Sequence, residues 1–359
     1  MHGGIDAVGG GLMSDTTEIA GFEKLGLVAI GRNEGERLAR CLSSIRAVRK
    51  RVYVDSGSTD GSVALARNEG VSVVDLPVPP KFTAARARNA GLAQLLAANP
   101  TLEFVQMVDG DCEVQPGWIE AALAILQAEP DLALVFGRRR ERFPDRSVYN
   151  ALCDDEWNCP IGESSGCGGD ALFRVPALRQ VDFYNPAMIA GEDTELSMRL
   201  RKRGWRLRRV DVEMTLHDAA ITRFPQWWSR TRRSGHAYGE MAFLHPDARD
   251  PHWPRTVRRI IFWGAAMPML FLTSVLLALI VSPGWWVATL LLLLPWPTRM
   301  AQLAKKQRRR GLSPKVARAS GILLMLGKIP QFLGLMSYHR NRLTGRESRL
   351  IEYKGPETI

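Results

Sequence analysis

Residues 105–112 read Val-Gln-Met-Val-Asp-Gly-Asp-Cys. An apolar run with the look of a buried strand stops abruptly on two carboxylates, Asp109 and Asp111, with only Gly110 between them. Side chains two apart on an extended chain point the same way, so both carboxylates are expected to converge on one cation. A bare D-G-D also suits a solvated turn, and its meaning depends on what surrounds it.

Upstream, short β-rich runs alternate with helical stretches. Strands are predicted over 26–31, 52–55, 71–76 and 103–108, and helices over 34–46, 61–69 and 84–97. This alternation implies an open α/β sheet, which binds ligands at the carboxyl ends of its strands. Three polar turns then share one crevice: Arg32-Asn33-Glu34, residues 55–61 (D-S-G-S-T-D-G), and the D-G-D itself. The turn after the first strand, G-R-N-E-G, lacks the G-x-G-x-x-G of a dinucleotide fold.

Downstream, residues 163–170 form the Gly-rich stretch E-S-S-G-C-G-G-D, where Gly168 and Gly169 would let backbone approach a ligand closely beside Asp170. Glu192 and Asp193 precede a helix predicted over 194–203, where acids also suit the positive end of the helix dipole. His217 follows a predicted strand, 205–216, and could complete a cation site. Lys81 and Arg88 are candidate diphosphate contacts. Arg230 and Arg233, three apart on a predicted helix, could grip phosphate.

Taken in order, Asn33-Glu34, the D-S-G-S-T-D-G-S turn, Arg86-Ala87-Arg88-Asn89-Ala90-Gly91, the D-G-D and Gly191-Glu192-Asp193 resemble the family 2 glycosyltransferases over roughly residues 24–239. The resemblance implies the GT-A fold, a Rossmann-like, mainly parallel mixed sheet sandwiched by helices, and an inverting reaction. It implies that Asn33, Glu34 and Asp55 contact the nucleoside, that Arg88 lies near the nucleotide, and that Asp109 and Asp111 hold ribose and a divalent cation, Mn²⁺ or Mg²⁺. Asp111 ranks first as metal ligand, with Asp109 and His217 beside it. The resemblance also places Gly110, Gly168, Gly169 and Asp170 about the donor and makes Asp193 the base, oriented by Glu192. Processive relatives carry Q-x-x-R-W, whereas residues 226–230 read Q-W-W-S-R, with the Arg one place late and no Trp after it. That departure argues against a processive synthase.

The net charge of +11 points to an anionic partner. Basic residues crowd the last third around long apolar runs, which favours a membrane surface over nucleic acid. Residues 260–281 carry no charge, and about 22 residues at about 1.5 Å each reach roughly 33 Å, enough to cross a hydrocarbon core. Ser282-Pro283-Gly284 breaks that span, a second is expected over about 285–303, and residues 319–338 are expected to form an interfacial helix. Basic clusters at both outer ends place them in the cytoplasm. Residues 1–23 are expected to be a flexible tail and not a signal peptide, residues 24–245 the catalytic domain, and residues 246–359 the membrane region ending in a basic tail. Five cysteines, without C-x-x-C pairs, suit reduced thiols better than disulfides or zinc.

The expectation is therefore a multi-pass protein of a bacterial-type cytoplasmic membrane whose cytoplasmic domain moves sugar from a UDP- or GDP-sugar. The acceptor is expected to be lipid-linked or a glycolipid, in surface polysaccharide or glycolipid synthesis, with no nucleic-acid partner. The alternative is a non-catalytic nucleotide-sugar- or glycan-binding membrane subunit.

Overall fold

The computed structural model describes residues 21–79, 81–246 and 252–346. Of the tail expected over residues 1–23, residues 1–20 lie outside the described residues, as does the end of the basic tail, 347–359, while Phe22 and Glu23 belong to a 3-10 turn, Phe22–Lys24, that leads into the first strand. The chain opens with β1 (Leu25–Gly31), α1 (Glu36–Ser44), β2 (Lys50–Asp55), α2 (Ser62–Asn68), β3 (Ser72–Asp75), α3 (Ala84–Ala98) and β4 (Phe104–Asp109). These strands pair in parallel in the order β3-β2-β1-β4. Helices cover them, so the strands read as apolar runs without polar alternation: Leu27, Val28, Ala29, Val105 and Met107 have no exposed surface. The register sets Gly31 beside Asp55 and Ile30 beside Asp109, which brings both acidic turns to one edge of the sheet.

The second half is built differently. It runs β5 (Cys112–Val114), α4 (Trp118–Ala128), β6 (Leu132–Glu141), α5 (Val148–Trp157), β7 (Gly162–Glu163), β8 (Ala171–Arg174), α6 (Val175–Gln180), α7 (Glu192–Lys202), β9 (Arg206–His217) and α8 (Phe224–Leu244). β8 runs antiparallel to both β4 and β6, β6 is parallel to β9, and β5 and β7 run antiparallel to β9. The sheet is thus mainly parallel only in its first half. The mixed character expected of the sheet comes from this half, where β8, β5 and β7 pair antiparallel although strand and helix still alternate from β5 to β7.

The C-terminal region begins with α9 (His252–Ile261), which passes through a π-helical turn, Phe262–Ala266, into α10 (Met267–Ile280). Then follow α11 (Trp285–Leu293), α12 (Pro295–Arg309), α13 (Pro314–Leu326) and α14 (Lys328–Leu343). Two stretches are long and apolar enough to cross a membrane: His252–Ile280 and Pro314–Leu343. The span expected over 285–303 is instead two helices meeting at Leu294, because Pro295 and Pro297 supply no backbone N–H, and α12 carries the basic residues Lys305, Lys306, Arg308 and Arg309. The segment expected as an interfacial helix is longer than expected and packs along α8. At that crossing Gly235 faces Gln331 and Gly334 faces Arg232, backbone against backbone, and a Cβ on either glycine would run into the opposing carbonyl. The ring of His236 meets Tyr338 edge-on at 5.3 Å nearby.

Candidate active site

The D-G-D does not act as a two-toothed clamp. β4 ends at Asp109, Gly110 and Asp111 form a turn, and Gly110 N donates to Ile30 O at 2.7 Å before β5 begins. The extended-chain rule therefore lapses at Gly110, and the two carboxylates face different partners. Asp111 Oδ2 lies 3.2 Å from His217 Nε2, while its Oδ1 accepts from the Cys112 thiol. Asp109 Oδ1 accepts from Arg88 Nη2 at 2.9 Å, and its Oδ2 from Arg139 Nη2 at 3.2 Å.

Arg88 is the organiser of the site. Only 2% exposed, its guanidinium also meets Glu192 Oε1 at 2.7 Å and Asp193 Oδ1 at 3.0 Å. It joins the end of β4 to the first turn of α7, which begins two residues earlier than the sequence suggested. Gly191, in the left-handed region at φ 80°, is the N-cap, so Glu192 and Asp193 do not cap with their side chains. Burial alone would lower the Arg88 guanidinium, but the charges of Asp193, Asp109 and Glu192 hold it well above its ordinary value. Burial pushes the Asp193 carboxyl up to about 8; Arg88 opposes this, and Glu192 and Asp109 add to it. Arg88, expected from sequence as a diphosphate contact, is thus engaged with three carboxylates.

The Gly-rich stretch closes over this pair. A Cβ on Gly169 would stand 2.5 Å from Arg88 Nη2 and 2.8 Å from Asp109 Oδ2, so any side chain there would have to displace the tips of both. Gly168 has open space around its Cα. Asp170, fully buried, accepts from Asp109 N at 3.0 Å and from Thr215 Oγ1 at 2.8 Å, which makes it a support for Asp109. The nucleoside candidates form a second group. Asn33, at φ 55°, accepts from Thr59 N at 2.7 Å, and Glu34 pairs with Arg37 at 2.9 Å. Asp55 accepts from Gly57 N, Ser58 N, Ser58 Oγ and Tyr53 Oη, so its carboxylate organises its own turn. Lys81 is exposed, and Arg230 pairs with Glu156 on α5 at 3.0 Å; Arg233 lies nearly one turn farther along α8.

Register supplies residues that sequence reasoning missed. β6 pairs with β9 so that Arg139 lies beside Thr215 and Glu141 beside His217, while β5 sets Cys112 beside His217. Arg139 reaches Asp109 and Asp170, the latter at 3.5 Å, and Glu141 Oε2 faces His217 Nδ1 at 3.6 Å. The run Arg138-Arg139-Arg140-Glu141 held no local signal for them, because it does not alternate in burial: Arg138 is buried and Arg140 exposed on the same face of the strand.

This donor set fits a divalent cation. Burial, with Arg139 adding to it, lowers the His217 imidazole below its ordinary value, so the ring is neutral. The tautomer with its proton on Nδ1, toward Glu141, turns the Nε2 lone pair on Asp111 Oδ2, an acceptor facing an acceptor that a cation would reconcile. Six carboxylates (Asp109, Asp111, Glu141, Asp170, Glu192 and Asp193) are set against two guanidiniums, Arg88 and Arg139, and the surplus favours a cation. Asp111 and His217 are the residues that would hold it. Asp109, already held by two arginines, is not expected to be a direct ligand. Among the described residues all five cysteines are free thiols.

Glycosyl transferase family 2 matches residues 28–179, and Glycosyl transferase family group 2 matches residues 159–303. Together the two matches run from residue 28 to residue 303, and they support a family 2 glycosyltransferase. It is 27% identical over 257 residues to the pre-mycofactocin glycosyltransferase of Mycobacterium tuberculosis, covering 67% of this chain and 51% of that protein. It is 26% identical over 202 residues to the succinoglycan biosynthesis protein ExoA of Rhizobium meliloti, covering 54% and 60% respectively. The chain thus spans about half the length of the curated relatives it matches first. Among solved structures, a mannosyltransferase from Pyrobaculum calidifontis in complex with GDP-Man and Mn²⁺ superimposes with a TM-score of 0.57 over 87% of each chain at 16% identity, which shows a shared GT-A fold.

Proposed function

We propose that this chain is an inverting, non-processive glycosyltransferase that moves a sugar from a UDP- or GDP-sugar to a lipid-linked acceptor at a membrane face. The observation that carries the reading is Asp193, a carboxylate in the first turn of α7 whose side chain is 16% exposed, tied through Arg88 to Asp109 at the strand end. Asp193, once ionised, takes the proton of an acceptor hydroxyl. The oxygen then forms its bond to the anomeric carbon from the face opposite the diphosphate, whose C–O bond breaks with the electron pair leaving on the diphosphate. When bound between Asp111 and His217, a divalent cation would offset charge on the departing diphosphate. Arg88 holds Asp193 and Asp109 in fixed relation; Asn33, Glu34 and the Asp55 turn frame the place of the nucleoside.

The mannosyltransferase with GDP-Man and Mn²⁺ shares this fold, and the named relatives act in glycosylation and polysaccharide synthesis, which supports both donor class and pathway type. The apolar helices, one packed on α8, support a lipid-linked acceptor. The purified full chain with Mn²⁺ and a panel of UDP- and GDP-sugars should release nucleoside diphosphate. Asp193→Asn should abolish turnover and retain donor binding; unchanged turnover by that variant removes Asp193 from the base role. Donor binding without turnover of any donor would favour the non-catalytic membrane subunit.

A further inference from the structure

The last turn of α5 reads Asp154-Asp155-Glu156-Trp157, and a different part of the chain holds each side chain. Arg138 on β6 meets Asp154 Oδ2 at 2.7 Å. Arg230 on α8 meets Glu156 Oε2 at 3.0 Å. At the end of α12, Gln307 Nε2 donates to Asp155 Oδ2 at 2.5 Å and Arg310 Nε lies 2.9 Å from Oδ1. Arg310 Nη2 donates further to the carbonyl oxygens of Asp155 and Asn158. Asp155 and Gln307 are both buried, so this contact is a joint and not a surface pairing.

Trp157 is thereby fixed against the site. The Arg139 guanidinium lies over its ring at 4.9 Å, and the His217 ring meets it edge-on at 4.6 Å and 82°. Arg139 restrains Asp109, and His217 faces Asp111. One aromatic ring therefore touches both groups that determine where the D-G-D carboxylates stand. A desolvated guanidinium over an indole face is held more firmly than one packed against aliphatic carbon.

We propose that Trp157 is a positioning residue of the cation site and that the C-terminal helices set it in place through Asp155. The inference rests on the proposed use of a divalent cation at Asp111 and His217. Mn²⁺ affinity of the purified full chain in detergent, measured by electron paramagnetic resonance without any donor sugar, tests it. Trp157→Leu keeps apolar bulk and loses the aromatic face; its Mn²⁺ binding should weaken about tenfold, as for other residues that orient a metal ligand. Trp157→Phe should stay within about twofold of native. A purely structural role would make Leu and Phe alike. Arg310→Ala leaves the ring intact and should weaken Mn²⁺ binding by about two- to thirtyfold, the range of an energetic coupling carried through packed elements. Native-like affinity in Trp157→Leu overturns the positioning role. Weakening there with none in Arg310→Ala overturns the route through Asp155. A native chain that binds no Mn²⁺ overturns the cation reading itself, and this inference with it.

Discussion

Replacing Arg88 by glutamine removes the one cation that three carboxylates share at 2.7, 2.9 and 3.0 Å. The guanidinium is 2% exposed, so water cannot take its place, and Asp109, Glu192 and Asp193 are left facing one another. Breaking a buried ion pair by removing one partner costs about 3–5 kcal/mol, because the remaining charge stays buried and unpaired. For a domain of this size that corresponds to a fall in Tm of about 6–20 °C. The sign of the pH dependence follows. Arg88 opposes the rise of the Asp193 carboxyl, so without it that carboxyl rises further above its unfolded value, the folded variant binds more protons than the unfolded chain and its stability falls as pH rises. The deficit relative to native should accordingly be larger at pH 8 than at pH 5. Thermal unfolding of the full chain in detergent, followed by tryptophan fluorescence at both pH values, is the assay. Arg88→Lys should not restore stability, since one ammonium cannot reproduce a forked guanidinium that meets three partners. A Tm change under about 2 °C, or an equal deficit at both pH values, refutes the organising role.

Asp193, raised to about 8 by burial, should make kcat/KM climb with pH through that region, and a profile already flat from pH 6 upward contradicts the assignment. Its folded pKa lies above the unfolded value, so its stabilisation is present at acid pH and lost as pH rises toward 8; Asp193→Asn should therefore gain Tm relative to native at pH 8 more than at pH 4. Gly169→Ala must force Arg88 and Asp109 apart and should cost about 1–3 kcal/mol with weaker nucleoside diphosphate binding, read by calorimetry. Gly334→Leu places a side chain on the Arg232 carbonyl oxygen and within 2.8 Å of His236 N from its first carbon; it should cost at least as much and expose α14 to limited proteolysis in detergent.

The N-terminal half was legible in the sequence because its signals are local. Each strand from β1 to β4 is a short apolar run, each ends on polar residues, and parallel pairing brings those ends together without further information. The place of Glu192 and Asp193 at the start of a helix was legible as well, although that helix begins at Glu192 and not at Thr194. Arg139, Glu141 and Trp157 were not. Their roles depend on β6 lying parallel to β9 and on α5 lying beneath both, contacts between segments tens of residues apart that leave no local periodicity.

The D-G-D shows the division most clearly. Its sequence determined that an apolar strand delivers two carboxylates to the ligand edge of an α/β sheet. Whether they act together was decided by tertiary structure. A turn at Gly110 separates them, two arginines from α3 and β6 claim Asp109, and an imidazole from the end of β9 claims Asp111. Hydrophobic pattern is written along the chain, but charge pairing depends on distances of a few ångströms between distant segments, which only the packed fold sets.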